Sequence, residues 1–260
     1  MATYNKRGYK PKTKKEKDVQ EEIDIKDSTT AEVFESLDQG ASRTEEWVEK
    51  NQKPILYTIV GILVVVLGFL AYTKFVAEPN ELEAAQELAY AQENFNTALE
   101  SSNESLKDSL YMVALDGNNG KYGLLDIAEN YGSTKAGNLA NYYAGMSYLE
   151  IKKYTEAISH LQDFDSDDMI LAPLAKGAMG DAFMQLDQAS EALNYYEQAA
   201  KMNANQFTTP RFLFKAGVAA IDLGQNDTAL THLNALKDQY PDSEYAAQAD
   251  LYIGKAQGGN

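Results

Sequence analysis

Length, composition and charge narrow the functions open to this chain. It has 260 residues, enough for one or two domains, and no cysteine, which excludes disulfides, lipoprotein attachment, zinc–thiolate sites and a cysteine nucleophile. Its net charge of −16 falls on residues 78–260, which hold 11 Lys and Arg against 27 Asp and Glu. A region this acidic repels phosphates, so we expect it to bind no nucleic acid.

Residues 1–27 are predicted to form a disordered cytoplasmic tail. They contain many Lys, Glu and Asp residues and almost no large apolar residue, so they cannot bury enough surface to offset their ordering entropy. The first 17 residues carry seven positive charges and one negative charge. The tail therefore either attracts anionic lipid or ribosomal RNA, or is a solvated segment that only fixes the topology.

Residues 28–53 are predicted to form short cytoplasmic helices. Thr29-x-x-Glu32 and Ser42-x-x-Glu45 both have the spacing of a capping box, in which two side chains satisfy the free N–H groups at a helix start. A small apolar face on the first helix either docks on a partner or lies on lipid headgroups.

The stretch from Pro54 to Tyr72 contains no charged residue. As a helix it would be roughly 28 Å long, close to the thickness of a bilayer's hydrocarbon core. It begins too far into the chain for a secretory signal peptide, so we predict a retained transmembrane helix within residues 54–74. More Lys and Arg precede the stretch than follow it, which places the N-terminus in the cytoplasm and residues 78–260 on the far side.

Two further helices are predicted directly after the apolar stretch. Glu81 to Leu99 has apolar residues spaced three or four positions apart, which predicts one long helix. Ser101 to Asp116 begins polar and becomes helical, and Gly117-Asn118-Asn119-Gly120 ends it.

The rest of the chain repeats with a period set by glycine. Gly145, Gly180 and Gly217 are 35 and 37 residues apart, and a further step of 37 reaches Gly254. An alanine follows each of the first three glycines after twelve residues. A period slightly above 34 residues with two helices per unit is typical of tetratricopeptide repeats. The fold is therefore predicted to be all-α: a single transmembrane helix, then a tetratricopeptide-type α-solenoid of helical hairpins over residues 78–260.

With these repeats over roughly Tyr122 to Lys255, the layout of cytoplasmic segment, single span and acidic repeat domain resembles YfgM-type proteins. The resemblance implies a single-pass protein of the bacterial inner (plasma) membrane with a periplasmic repeat domain. It also implies two partners: the Sec translocon and a membrane-anchored periplasmic chaperone of the prolyl-isomerase class.

The residues that could carry chemistry do not form a recognisable site. His160 and His232 occupy the same repeat position, so they should lie on equivalent faces of different repeats and not converge on one ion. The acidic run that starts at Asp163 lacks the glycine and glutamate of a calcium-binding EF-hand loop. We expect no metal, no cofactor and no enzymatic activity.

The groove formed by the first helix of each hairpin is the candidate binding surface. Its residues recur at fixed offsets from each glycine, and they either line the groove or pack on the neighbouring helix. The surface is mostly apolar and aromatic, with Arg211 as its cation, which suits an apolar helix or an unfolded segment. The candidates are Leu139, Tyr142, Met146, Leu149, Asp181, Met184, Arg211, Phe214, Val218 and Ile221.

These features predict a membrane-anchored protein-interaction scaffold, and the resemblance implies an ancillary translocon subunit with a chaperone-like role in handling secreted or envelope proteins. The alternative is a structural linker in another cell-envelope complex, assembled through the repeats. Identifying what cross-links to the chain in membranes would discriminate between the two. An enzyme is the weakest hypothesis, because no nucleophile–base or metal constellation occurs.

The predicted topology can be tested with protease. In spheroplasts, protease added outside should digest the chain after about Lys74, while a tag at the N-terminus stays protected, because the bilayer shields only the cytoplasmic side. Immunoblotting of both ends measures the result. Protection of the C-terminal part would contradict the orientation.

Overall fold

The computed structural model describes residues 45–258 of the chain. The predicted tail and most of the predicted short cytoplasmic helices lie outside the described residues, while residues 45–50 are helical. The chain divides into two units, one ending at Ala71 and the other beginning at Tyr72. Each unit is described by itself.

In the first unit the apolar stretch forms a helix, α1 (Gln52–Tyr72). Pro54 lies in its first turn, where a missing backbone N–H has no intrahelical partner to lose. None of the residues of α1 is buried. The helical run that starts at Gln52 is long and apolar enough to cross a membrane. The side of the membrane that each end faces stays a prediction.

The second unit is built from helices, and the described residues contain no β-strand. A π-helical segment, Thr73–Ala77, comes first and is tied to the next helix by an ion pair of 2.7 Å between Lys74 and Glu78. The all-α prediction is confirmed for residues 45–258. The helices are α2 (Glu78–Glu100), α3 (Glu104–Asp116), α4 (Leu124–Asn130), α5 (Lys135–Glu150), α6 (Tyr154–Asp163), α7 (Leu171–Gln185), α8 (Ala189–Lys201), α9 (Thr208–Asp222), α10 (Asn226–Gln239) and α11 (Glu244–Gly258).

The periodic glycines lie where the two helices of each hairpin touch. A Cβ atom on Gly145 would come within 2.5 Å of Leu161, one on Gly180 within 2.5 Å of Tyr196, and one on Gly217 within 2.7 Å of Leu233. These contacts join α5 to α6, α7 to α8 and α9 to α10. The alanines twelve residues after each glycine, Ala157, Ala192 and Ala229, are fully buried, and the carbonyl of Ala157 lies at the Gly145 crossing. The helical-hairpin prediction is therefore confirmed at the residues that suggested it.

Each hairpin turns through the same backbone motif. Lys152, Asp187 and Gly224 have positive φ angles of 64°, 57° and 69°. The residue after each donates its N–H to a carbonyl five positions back, as Lys153 does to Tyr148 at 2.8 Å. This is the Schellman motif, which satisfies the free carbonyls at a helix end. The third turn alone has the glycine that this conformation favours.

The helices before the repeats differ slightly from the predicted bounds. Helix α2 begins at Glu78, three residues earlier than expected, because Pro79 fits its first turn. Helix α4 begins at Leu124, and the preceding Gly123 lies against the carbonyl of Leu115, which a Cβ there would approach to 2.1 Å.

The crossing contact predicts opposite effects for one substitution at two equivalent positions. Gly180→Ala places a Cβ against the Tyr196 ring and should lower the free energy of unfolding by about 1–3 kcal/mol through overpacking. The Cβ added by Gly254→Ala has no neighbouring atom within 4 Å. This substitution should raise the free energy of unfolding by about 0.5–1 kcal/mol, because alanine favours the helix more than glycine does. Chemical denaturation followed by circular dichroism measures both, and equal effects would contradict the crossing.

Candidate functional site

The predicted groove residues lie on α5, α7 and α9, the first helices of the three hairpins. Apart from Tyr142 they are half-buried. Tyr142 is only 7% exposed and packs with Leu161 and Met179, and its ring centroid lies 5.2 Å from that of Phe164. Its expected place on the groove surface is therefore corrected: the following hairpin covers it, and it belongs to the core.

The Phe214 side chain also packs against other residues of the fold. Its ring centroid lies 5.1 Å from that of Tyr252 and 5.8 Å from that of Tyr245, both on α11. Helix α11 thus covers part of the surface expected at the third repeat. A substitution of Phe214 would disturb this packing as well as any partner.

A pocket of about 380 Å³ opens at the far end of the first helices. Leu149, Asp181 and Met184, all predicted groove residues, contribute to its wall. The wall also contains residues at positions that the sequence did not indicate. These are Glu150, Lys152, Tyr154, Gln185, Tyr196 and Lys215.

Asp181 is the centre of a charged cluster beside this pocket. Its Oδ1 accepts hydrogen bonds from the Tyr196 hydroxyl at 2.7 Å and from Lys215 Nζ at 2.5 Å. Arg211 lies farther away, with Nη2 3.9 Å from Oδ2. One carboxylate therefore stands opposite two cations, and the cluster carries a net positive charge within an acidic domain.

Burial shapes the protonation of this cluster. It lowers the pKa of the Lys215 ammonium, while Asp181 opposes that shift by attraction and by its hydrogen bond. Burial raises the pKa of the Tyr196 hydroxyl, and the nearby Asp181 charge raises it further. Tyr196 therefore stays protonated at neutral pH and acts as a hydrogen-bond donor.

Lys215 and Tyr196 were not predicted as site residues from the sequence, for different reasons. Lys215 lies outside the four offsets used to predict the groove, although its spacing of four from Arg211 puts both cations on one helix face. Tyr196 lies on a second helix, whereas the groove was predicted from the first helices alone. The surface expected to carry one cation in fact presents Arg211, Lys215 and Lys152.

The histidines have separate neighbours and do not converge. His160 Nδ1 lies 2.9 Å from Asn141 Oδ1, its ring stacks on Tyr148, and burial lowers its pKa. His232 Nε2 lies 2.9 Å from Glu197 Oε1. Among residues 45–258, no group of three or more His, Asp or Glu side chains is arranged to hold a metal ion.

Comparison with known families detects the repeats directly. Two family models, both described as tetratricopeptide repeat, match residues 139–167 and 178–244. The first match begins within α5 and passes the end of α6, and the second runs from within α7 to the first residue of α11. A search of curated proteins found no match to the chain. Tetratricopeptide repeats mediate protein–protein interaction and are typically non-enzymatic scaffolds, so the chain carries a protein-interaction scaffold.

Two buried tyrosines provide a matched test of the Asp181 cluster. Tyr196→Phe removes a hydrogen bond to a charged acceptor and should lower the free energy of unfolding by about 1.5–3 kcal/mol. Tyr111 is fully buried on α3, and its hydroxyl has no hydrogen-bond partner among the described residues. Tyr111→Phe should therefore leave stability unchanged or raise it.

The same pair should contribute to the loss of stability at alkaline pH. Burial raises the pKa of both hydroxyls in the folded state, so their contribution is complete below the unfolded value of 10.0 and is lost as the pH rises above it. Either Phe substitution should make stability fall less steeply above that pH. Denaturation series at neutral and alkaline pH measure both effects. An equal loss of unfolding free energy in the two variants at neutral pH would contradict the hydrogen bond from Tyr196 to Asp181.

Proposed function

We propose that this chain is a non-enzymatic scaffold anchored in the bacterial inner membrane, with its repeat domain in the periplasm. There it serves as an ancillary subunit of the Sec translocon and, together with a membrane-anchored periplasmic chaperone, has a chaperone-like role with secreted or envelope proteins. The apolar helix α1 and the surplus of Lys and Arg before it support the anchor and its orientation. The translocon role rests on the resemblance in layout.

The pocket at Leu149 and Met184 is the observation that carries the binding function. Both side chains are half-buried in the wall of an open pocket on the face formed by successive first helices. A partner side chain that fills the pocket would remove this apolar surface from water, which stabilises the complex by about 1.5–3 kcal/mol for a fully buried residue.

The charged cluster adds a preference for acidic partner side chains to this apolar contact. Asp181 is shared by Lys215 and Arg211, and Lys152 is exposed at the pocket edge. An acidic side chain in the partner would complement the surplus cation at a site where burial strengthens the attraction. We therefore expect the groove to hold an apolar segment that carries Asp or Glu.

Co-purification in mild detergent tests this function. Leu149→Ser with Met184→Ser should weaken capture of translocon subunits and of the chaperone by about tenfold to a hundredfold, because two apolar contacts are lost. Leu106→Ser, at an exposed apolar position on α3, is the matched control and should leave capture unchanged. Quantitative mass spectrometry of the eluates measures the result.

The outcomes separate the two parts of the proposal. Absence of translocon subunits from the wild-type eluate would reject the translocon role but not the groove. Equal capture by the wild-type chain and the double variant, with circular dichroism showing that the variant is folded, would reject the groove.

A further inference from the structure

A second exposed apolar surface lies away from the pocket, in the loops that precede α7 and α9. Phe207 is 79% exposed, Met169 is 59% exposed and Ile170 is 37% exposed. We call these three residues the loop edge. Exposed large side chains close together on a soluble surface mark an interaction site more often than a single one does.

The loop edge and the pocket lie at opposite ends of α7. Ile170 immediately precedes this helix, whereas Gln185 ends it and lines the pocket. The helix has 15 residues, so the two surfaces are separated by roughly 20 Å. A partner side chain in the pocket would leave the loop edge free.

Side-chain hydrogen bonds fix the two loops to each other. Asn205 Oδ1 accepts from the N–H groups of Phe207 and Thr208, both at 2.8 Å. The amide of Asn205 donates to the carbonyl of Met169 at 3.1 Å and to the hydroxyl of Thr208 at 2.7 Å. The loop edge is thus a preorganised surface, and a partner would not have to order it on binding.

The start of α7 is fixed in the same way. Asp168 Oδ1 accepts from the N–H groups of Ile170 and Leu171, both at 2.8 Å. The residues before it are tied to α5, since the Asn138 amide donates to the carbonyl of Asp165 at 2.7 Å.

The surroundings of the loop edge are acidic. Asp163, which ends α6, is exposed, as are Asp165, Asp167 and Asp168 in the loop that leads into Met169. None of them forms an ion pair with Lys, Arg or His within the described part of the chain. A partner that brings basic groups would find these carboxylates without competing cations, whereas an anionic bilayer would be repelled.

We propose that the loop edge binds a basic, apolar polypeptide segment, with Phe207 and Met169 contacting its apolar side chains and the neighbouring aspartates pairing with its Lys or Arg. This surface is independent of the groove and takes a segment of opposite charge. The charge complementarity around the exposed apolar residues identifies the class of partner.

Fluorescence anisotropy on the full chain in nanodiscs of zwitterionic lipid tests the proposal. The probe is a labelled peptide of alternating Leu and Lys, with a Leu and Glu peptide as its charge-reversed control, and empty nanodiscs give the background. The Leu and Lys peptide should bind, and the Leu and Glu peptide should not. Phe207→Ser with Met169→Ser should weaken binding at least tenfold, while Phe207→Trp retains it.

Three further variants locate the site. Asp165→Asn with Asp167→Asn should weaken binding severalfold and reduce its dependence on salt, because fewer charges are paired. Leu106→Ser and Met184→Ser should leave binding unchanged, since neither residue lies at the loop edge. Circular dichroism confirms that each variant is folded.

Two results would overturn the inference. One is binding of the Leu and Lys peptide that survives Phe207→Ser with Met169→Ser, which would show attraction to the acidic surface in general. The other is binding of the chain to added anionic vesicles that the same double substitution removes, which would assign the loop edge to a lipid surface.

Discussion

The close approach of two helices at a glycine is the contact on which the repeat array depends. At Gly145, Gly180 and Gly217 no side chain could fit between the helices without moving Leu161, Tyr196 or Leu233. The face of each first helix that carries the glycine therefore packs on the second helix of the same hairpin. Asp181 and Met184, one and four positions after Gly180, lie in the wall of the pocket beside that contact. The contact that closes a hairpin therefore also positions residues of the predicted groove.

The first and last hairpins of the array lack a neighbouring repeat on one side, and another helix packs there instead. At the N-terminal side, α2 packs on α5, with Phe95 in an edge contact with Tyr143 at 5.0 Å. Glu81 on α2 accepts the N–H groups of Lys135 and Ala136 at the start of α5, at 2.9 and 3.3 Å. Carboxylate charge at a helix N-terminus is stabilising. Helix α2 thus supplies the neighbour that the first hairpin would otherwise lack. At the other side, α11 covers Phe214, and Gly254 has nothing within 4 Å.

Features that repeat along the chain could be predicted from the sequence. The hairpins follow from glycine and alanine spacing, and three of the predicted groove residues, Leu149, Asp181 and Met184, lie beside one pocket, because offsets within one helix preserve the facing direction. The binding role of these residues stays a prediction. Contacts between hairpins could not be predicted in this way. Tyr142 has the same offset as Phe214, yet one is covered by the next hairpin and the other by α11. An offset from glycine describes one helix and carries no information about what covers it.

The same reasoning explains the residues that were missed. Lys152 and Asp187 adopt the left-handed conformation without being glycine, so nothing in their residue type marked the turn. Lys215 and Tyr196 belong to the site only because α8 and α9 bring them to Asp181 on α7. A cluster assembled from three helices leaves only a partial signal in each of them, such as the spacing of four between Arg211 and Lys215. The family matches, which start at residue 139, likewise do not extend to α2 or α3, whose packing does not follow the repeat.

Charge gives the two proposed surfaces different partners on one small domain. The acidic region as a whole attracts basic chains from a distance, and the aspartates beside the loop edge reinforce that field at short range. The Asp181 cluster reverses the sign locally, because two cations share one carboxylate and burial limits their screening. A basic segment is therefore drawn to the loop edge and disfavoured in the pocket, while an acidic segment must approach against the overall field. Binding in the pocket then depends on the apolar contact with Leu149 and Met184 more than on attraction, so salt should weaken the loop-edge complex and affect the pocket complex much less.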